Sequence, residues 1–107
     1  MTQKEHRLRE LVRKLAAEFF SRERNPRSLV TVTGAEISGK GRRAAILITV
    51  MPERDEQPAL VSARRRLKDF RAYVHERSRI VRLPFFEIRI DKGEKNRQRM
   101  DEIAKNM

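Results

Sequence analysis

The chain contains no cysteine, and only 6% of its residues are aromatic. Without cysteine it can form neither a disulfide nor a cysteine-ligated zinc site. No apolar stretch approaches the roughly 20 residues that cross a bilayer. The polar first residues, MTQKEH, lack the apolar core of a signal peptide. We therefore expect a soluble, cytoplasmic protein with no membrane partner.

Acidic residues are also scarce relative to basic ones. Aspartate and glutamate number 15 against 26 lysines and arginines, which gives a net charge of +11. This excess favours a polyanionic partner, because each neutralised phosphate releases condensed counterions. The alternative is that the charge only keeps a small protein soluble. A length of 107 residues predicts one domain, 1–107, with a single modest core.

The sequence carries no recognisable catalytic or metal-binding pattern. His6 and His75 are the only histidines, and neither has the partners of a metal site. Residues 34–41, GAEISGKG, approach a phosphate-binding loop. However, Gly41 replaces the required hydroxyl residue, and the segment falls on a strand and turn rather than before a helix. We therefore expect no enzymatic activity, no cofactor, no metal and no small-molecule substrate.

Periodicity predicts six elements in the order helix, strand, strand, helix, strand, helix. A possible capping box, Thr2 with Glu5, begins the first helix, and the segment NPR at 25–27 ends it. The next two elements are strands over Leu29–Ser38 and Arg43–Met51, which form an antiparallel hairpin.

Glycines punctuate the hairpin and the end of the chain. Gly34 suggests a bulge in the first strand or a close approach of another backbone, and residues 39–41, GKG, predict the turn. The third strand is predicted over residues 85–91, ends at Lys92-Gly93, and is followed by a terminal helix over 94–106. This order predicts an α+β domain in which helices pack on one face of a three-stranded sheet.

Residues 58–77 predict a single helix with an apolar stripe and a basic row beside it. The row, which we call the basic ridge, consists of Arg64, Lys68, Arg71 and His75. The acids Asp69 and Glu76 fall on the back of the same helix. An unmixed positive ridge suits a phosphate backbone and points to nucleic acid.

Further candidate RNA contacts lie outside this row. They are Arg65 and Arg66 beside the ridge, Arg79 and Arg82 before the third strand, and Lys40, Arg42 and Arg43 at the hairpin tip. Arginine forks match phosphates bidentately. Most phenylalanines are expected in the core, so we expect contact mainly with RNA backbone and shape rather than base stacking.

Several segments follow one another in a distinctive order and spacing: residues 25–27 (NPR), 30–38 (VTVTGAEIS), 44–50, 70–71, 79–84, the strand that closes at Asp91, and 100–104. Together they resemble ribosome-binding factor A, a bacterial small-subunit assembly factor. The resemblance implies a type II KH-like fold that lacks the RNA-clamping G-x-x-G loop. It also implies binding to the small ribosomal subunit and its rRNA, support of rRNA maturation, and a role in cold adaptation.

The family kinks its second helix at an Ala-x-Gly site. The aligned positions here are Arg66-Leu67-Lys68, so a straight helix and a kink nearby both stay open. The resulting hypothesis is a monomeric, non-enzymatic assembly factor that docks on immature small-subunit rRNA. The alternatives are a general KH-like module for single-stranded RNA or DNA with no ribosomal role, and a protein-interaction domain whose charge only aids solubility.

Overall fold

A three-stranded sheet lies at the centre of the computed structural model, which describes residues 1–21 and 28–106. Its strands are β1 (Leu29–Ser38), β2 (Arg43–Met51) and β3 (Phe85–Ile90). The central strand β2 pairs antiparallel with β1 and parallel with β3. The first two strands have the predicted bounds, and β3 ends one residue early.

The predicted bulge in β1 is confirmed. Val32 pairs with Ile48 and Gly34 pairs with Leu47, so one residue of β1, Thr33, is extra. The Thr33 hydroxyl donates a hydrogen bond to the carboxylate of Asp91. The bulge therefore ties the first strand to the residue that follows the third.

Four helices accompany the sheet: α1 (Gln3–Ser21), α2 (Glu56–Arg65), α3 (Leu67–Arg77) and α4 (Lys92–Lys105). The predicted Thr2–Glu5 cap is present, because the Glu5 amide donates to Thr2 Oγ1 at 3.2 Å. The predicted end of the first helix, at residues 25–27, lies outside the described residues.

The single helix predicted over residues 58–77 is two helices, α2 and α3, divided at Arg66. There φ is −95° and ψ is 1°, and the Arg66 amide donates to the carbonyl of Ala63, three residues back. The Phe70 amide then donates to the Arg66 carbonyl, which starts α3. A negative φ of this kind is open to residues with a Cβ atom, so the kink needs no glycine.

The last helix begins earlier than predicted. Asp91 accepts the Glu94 amide at 3.0 Å and caps α4, so Lys92-Gly93 is the first turn of the helix rather than a break before it. All of α4 lies within the described residues, and none of its side chains is buried.

The core lies between one face of the sheet and the helices α1, α2 and α3. Alternate residues of β2, Ala44, Ile46 and Ile48, are almost fully buried and share this inner face. Phe70 is fully buried, and its ring lies 5.0 to 5.5 Å from three other phenylalanine rings. The α+β architecture with helices on one face is confirmed, and side chains of the opposite face such as Arg43, Phe85 and Arg89 are exposed.

Candidate nucleic-acid interface

The basic ridge is exposed but spans two helices. Arg64 lies in the last turn of α2, whereas Lys68, Arg71 and His75 lie on α3. All four side chains are exposed to solvent. The kink at Arg66 therefore interrupts the ridge without burying any of its members.

Two members of the basic ridge reach the third strand. Arg64 Nη2 donates to the carbonyl of Ile88 at 3.4 Å, and Arg71 Nη1 donates to the carbonyl of Pro84 at 2.8 Å. The ridge thus runs along β3 in the direction opposite to the strand. The Arg71 bond is of ordinary length and the Arg64 bond is long and weaker. Each guanidinium carries five N–H donors, so others remain for a phosphate.

The other basic groups converge at the end of the sheet where β3 begins. The Phe85 amide donates to the Arg42 carbonyl at 2.8 Å, which joins the hairpin tip to the segment that holds Arg79 and Arg82. The Arg71 bond to Pro84 brings the ridge to the same place. We call four exposed residues at this end the sheet-end cluster: Lys40, Arg42, Arg43 and Arg82.

The hairpin tip has a left-handed backbone that projects Lys40. Gly39, Lys40 and Gly41 have φ values of 59°, 58° and 88°. Glycine adopts this region without cost, whereas Lys40 does so at some strain. The two glycines therefore permit the tight turn that places a lysine at its apex.

The two ends of the ridge differ in their charged surroundings. Near Arg64, a shallow groove is lined by the basic residues Arg89 and Lys92 and by the acidic residues Glu36 and Asp91. The sheet-end cluster is composed of basic residues. Because phosphate is attracted by positive potential, the sheet end is the more favourable position for an RNA backbone in this candidate interface.

Arg65 and Arg66, predicted beside the ridge, behave differently from each other. Arg65 is exposed. Arg66 is half-buried, and its guanidinium carbon lies 4.4 Å from the centre of the Phe19 ring and 5.8 Å from that of Phe20. This stacking directs Arg66 toward α1, away from the other predicted contacts, and makes it a bridge between two helices.

Basic residues of α4 pair with one acid that precedes α2 and with the acid that begins it. Lys95 Nζ lies 2.8 Å from Glu53 and 2.9 Å from Glu56, and Arg99 also contacts Glu53. The hydrogen bond that Lys95 donates to Glu53 lowers the pKa of Glu53 and raises the pKa of Lys95. Hydrogen bonding from Arg97 likewise lowers the pKa of Glu94. These acids are paired with basic residues of α4 rather than with the ridge.

One candidate contact was not included in the sequence prediction. Phe85 lies at the start of β3, beside the sheet-end cluster, with 64% of its surface exposed. Successive residues of a strand point to opposite faces of the sheet, so Phe85 lies on the outer face and Phe86 on the inner face. This alternation is the feature of the sequence that could have identified Phe85 as a candidate contact.

The described residues contain no group of three or more His, Cys, Asp or Glu side chains that could hold a metal ion. Within residues 1–21 and 28–106, no helix has the length and apolarity needed to cross a membrane.

Comparison with solved structures assigns the fold. A crystal structure of ribosome-binding factor A from Thermus thermophilus superposes with a TM-score of 0.71 and 25% identity, covering 80% of this chain and 93% of that one. The chain has the fold of ribosome-binding factor A. A solution structure of a Thermotoga maritima candidate for the same factor gives a TM-score of 0.68 and 25% identity, covering 85% and 90%.

The ribosome-binding-factor-A-like fold confirms the resemblance found in the sequence. No family model matches the chain, and no curated protein matches it either. The similarity is therefore carried by the arrangement of helices and strands.

Proposed function

We propose that this protein is a non-enzymatic factor that binds the small ribosomal subunit during its assembly, by contact with immature rRNA. The observation that carries the proposal is the convergence of three basic groups, separate in sequence, on one exposed surface of a ribosome-binding-factor-A-like fold. The proposed compartment is the cytoplasm, and the proposed active form is a monomeric single domain.

The proposed mechanism is electrostatic docking. The sheet-end cluster and the exposed ridge residues Lys68 and Arg71 contact rRNA phosphates, and Arg64, Arg65 and Arg79 support them. The hydrogen bond from Arg71 to Pro84 fixes one guanidinium before binding, which reduces the entropy lost on association. In the docked state the protein holds immature rRNA in an arrangement that allows its maturation. The proposed role includes supporting this maturation during growth in the cold.

The test is co-sedimentation of the purified protein with isolated small subunits, large subunits and whole ribosomes over a salt series. We expect retention on free small subunits at physiological salt and little retention on whole ribosomes, as for a factor that leaves before translation. If the protein is retained equally on all three particles and this retention persists at physiological salt, the result would support a general KH-like RNA-binding module instead. Retention that is equal on all particles and vanishes at modest salt would indicate a nonspecific polycation.

A further inference from the structure

Phe85 is exposed where the other phenylalanines are buried. All five lie in the described part of the chain; Phe19, Phe20, Phe70 and Phe86 are between 0% and 8% exposed, whereas Phe85 is 64% exposed. An exposed aromatic ring is not explained by the core. Either the ring makes a contact in a complex, or it belongs to the apolar fraction that the surface of every folded protein exposes.

The position of Phe85 gives the ring a specific neighbourhood. In the sheet register, Ser38 pairs with Arg43 and Arg43 pairs with Phe85, so these three residues form one row across the outer face. The Phe85 amide is bonded to the Arg42 carbonyl, which fixes the start of β3 beside the hairpin tip. An aromatic ring therefore sits at an anchored backbone position among arginines.

The next row along the outer face has the opposite charge. Glu36 and Glu87 flank Ala45 two residues further into the sheet, and Arg89 beyond them lies 3.9 Å from Glu36 and 3.7 Å from Glu87. A phosphate chain would be repelled by the two carboxylates. The favourable surface is thus confined to the first row and the hairpin tip, which is space for one base rather than for a long platform.

We propose that Phe85 and Arg43 form a stacking site for one unpaired RNA base, whose neighbouring phosphates are held by the other members of the sheet-end cluster, Lys40, Arg42 and Arg82. The inference rests on the proposed function, in that the ligand is RNA, and it adds a preference for an unpaired nucleotide. Every base has a face that can stack on an aromatic ring, and arginine can stack in the same way. The surrounding positive charge favours RNA over a neutral protein partner.

The absence of tryptophan makes the site directly observable. The variant Phe85→Trp carries a single tryptophan at the proposed site, and Leu29→Trp carries one at the other end of the sheet, at a position that is also 64% exposed. Each protein is titrated with a short single-stranded oligoadenylate and with a duplex RNA of equal length. We expect saturable quenching of Phe85→Trp by the single strand, weaker quenching by the duplex, and little change in Leu29→Trp.

Affinity is measured in parallel by the anisotropy of labelled oligoadenylate. Phe85→Leu keeps an apolar side chain without the ring, and we expect it to weaken binding by about tenfold, within the range known for base–aromatic stacking. Leu29→Ala is the matched control and should bind like the parent protein. Thermal melts of both variants establish that they are folded.

The outcomes separate this inference from the proposed function. If oligoadenylate binds to both tryptophan variants with equal quenching, and Phe85→Leu binds normally, the stacking site is wrong while RNA binding stands. If the parent protein binds small subunits but no single-stranded RNA, the stacking site is again wrong. If it binds neither RNA nor subunits, both ideas fail together.

Discussion

Removing three charges from the proposed interface should change the salt dependence of binding, whereas removing three charges elsewhere should not. The interface variant is Lys68→Gln, Arg42→Gln and Arg82→Gln. All three side chains are exposed, and glutamine retains part of each aliphatic stem. The structural bond at Arg42 uses its carbonyl, which the substitution leaves in place.

The expected magnitude follows from counterion release. Each phosphate contact contributes about 0.7 to 0.9 to the slope of log affinity against log salt, so three lost contacts lower the slope by about 2 to 3. At ~0.1 M monovalent salt, one decade below 1 M, this corresponds to an affinity loss of about 100- to 500-fold. At ~0.3 M salt the same change is only about 10- to 25-fold, so the binding curves of parent and variant converge.

The matched control removes the same net charge away from the interface, by Lys14→Gln, Arg54→Gln and Lys105→Gln. These exposed residues lie on α1, after β2 at the far end of the sheet, and at the end of α4. Binding to isolated small subunits is measured by co-sedimentation over a salt series, after thermal melts. Equal losses in the two variants would mean that only net charge matters, and an unchanged slope in the interface variant would refute the placement of the interface.

Three further predictions concern the scaffold. Arg66→Ala should lower the free energy of unfolding by about 1 kcal/mol through lost contact with Phe19, seen in urea titrations, while Arg65→Ala should not; equal effects would contradict the bridging role. Asp91→Ala should lower the free energy of unfolding by about 1 kcal/mol, and Asp91→Asn should lower it less, because the asparagine oxygen can still cap α4. Equal losses in the two variants would argue against the cap. The pKa of Glu53 is lowered, so its bond with Lys95 stabilises the fold at pH values above 4.5, the ordinary pKa of a glutamate, and this stabilisation is lost as the pH falls through the lowered pKa. The difference in free energy of unfolding between the parent protein and Lys95→Met should therefore shrink at acid pH. A difference that stays constant with pH would contradict this.

Much of the fold was predictable because local patterns and tertiary packing agree. The strands Leu29–Ser38 and Arg43–Met51 were found at their bounds, since alternation and turn residues both mark them. The kink at Arg66 could not be predicted in this way. The apolar stripe continues across it at helical spacing, so periodicity gives no sign of the interruption.

The residues of the candidate interface were proposed from the sequence, but their arrangement in space could not be. Sequence gives the charge of Arg42, Arg71 and Arg82, but their proximity depends on two main-chain acceptors, the carbonyls of Arg42 and Pro84. The separate position of Arg66 was hidden for a similar reason, because helical periodicity does not show that a guanidinium can stack on a ring of another helix.

The placement of acids is as important to the interface as the placement of bases. A net charge of +11 spread evenly would attract any polyanion, with no preferred orientation. Here Glu53 and Glu56 are held by Lys95 on α4, and Glu36 and Glu87 occupy the outer face of the sheet next to the row of Arg43 and Phe85. These acids therefore lie outside the sheet-end cluster, and this uneven distribution of charge favours one orientation of the protein on an RNA surface.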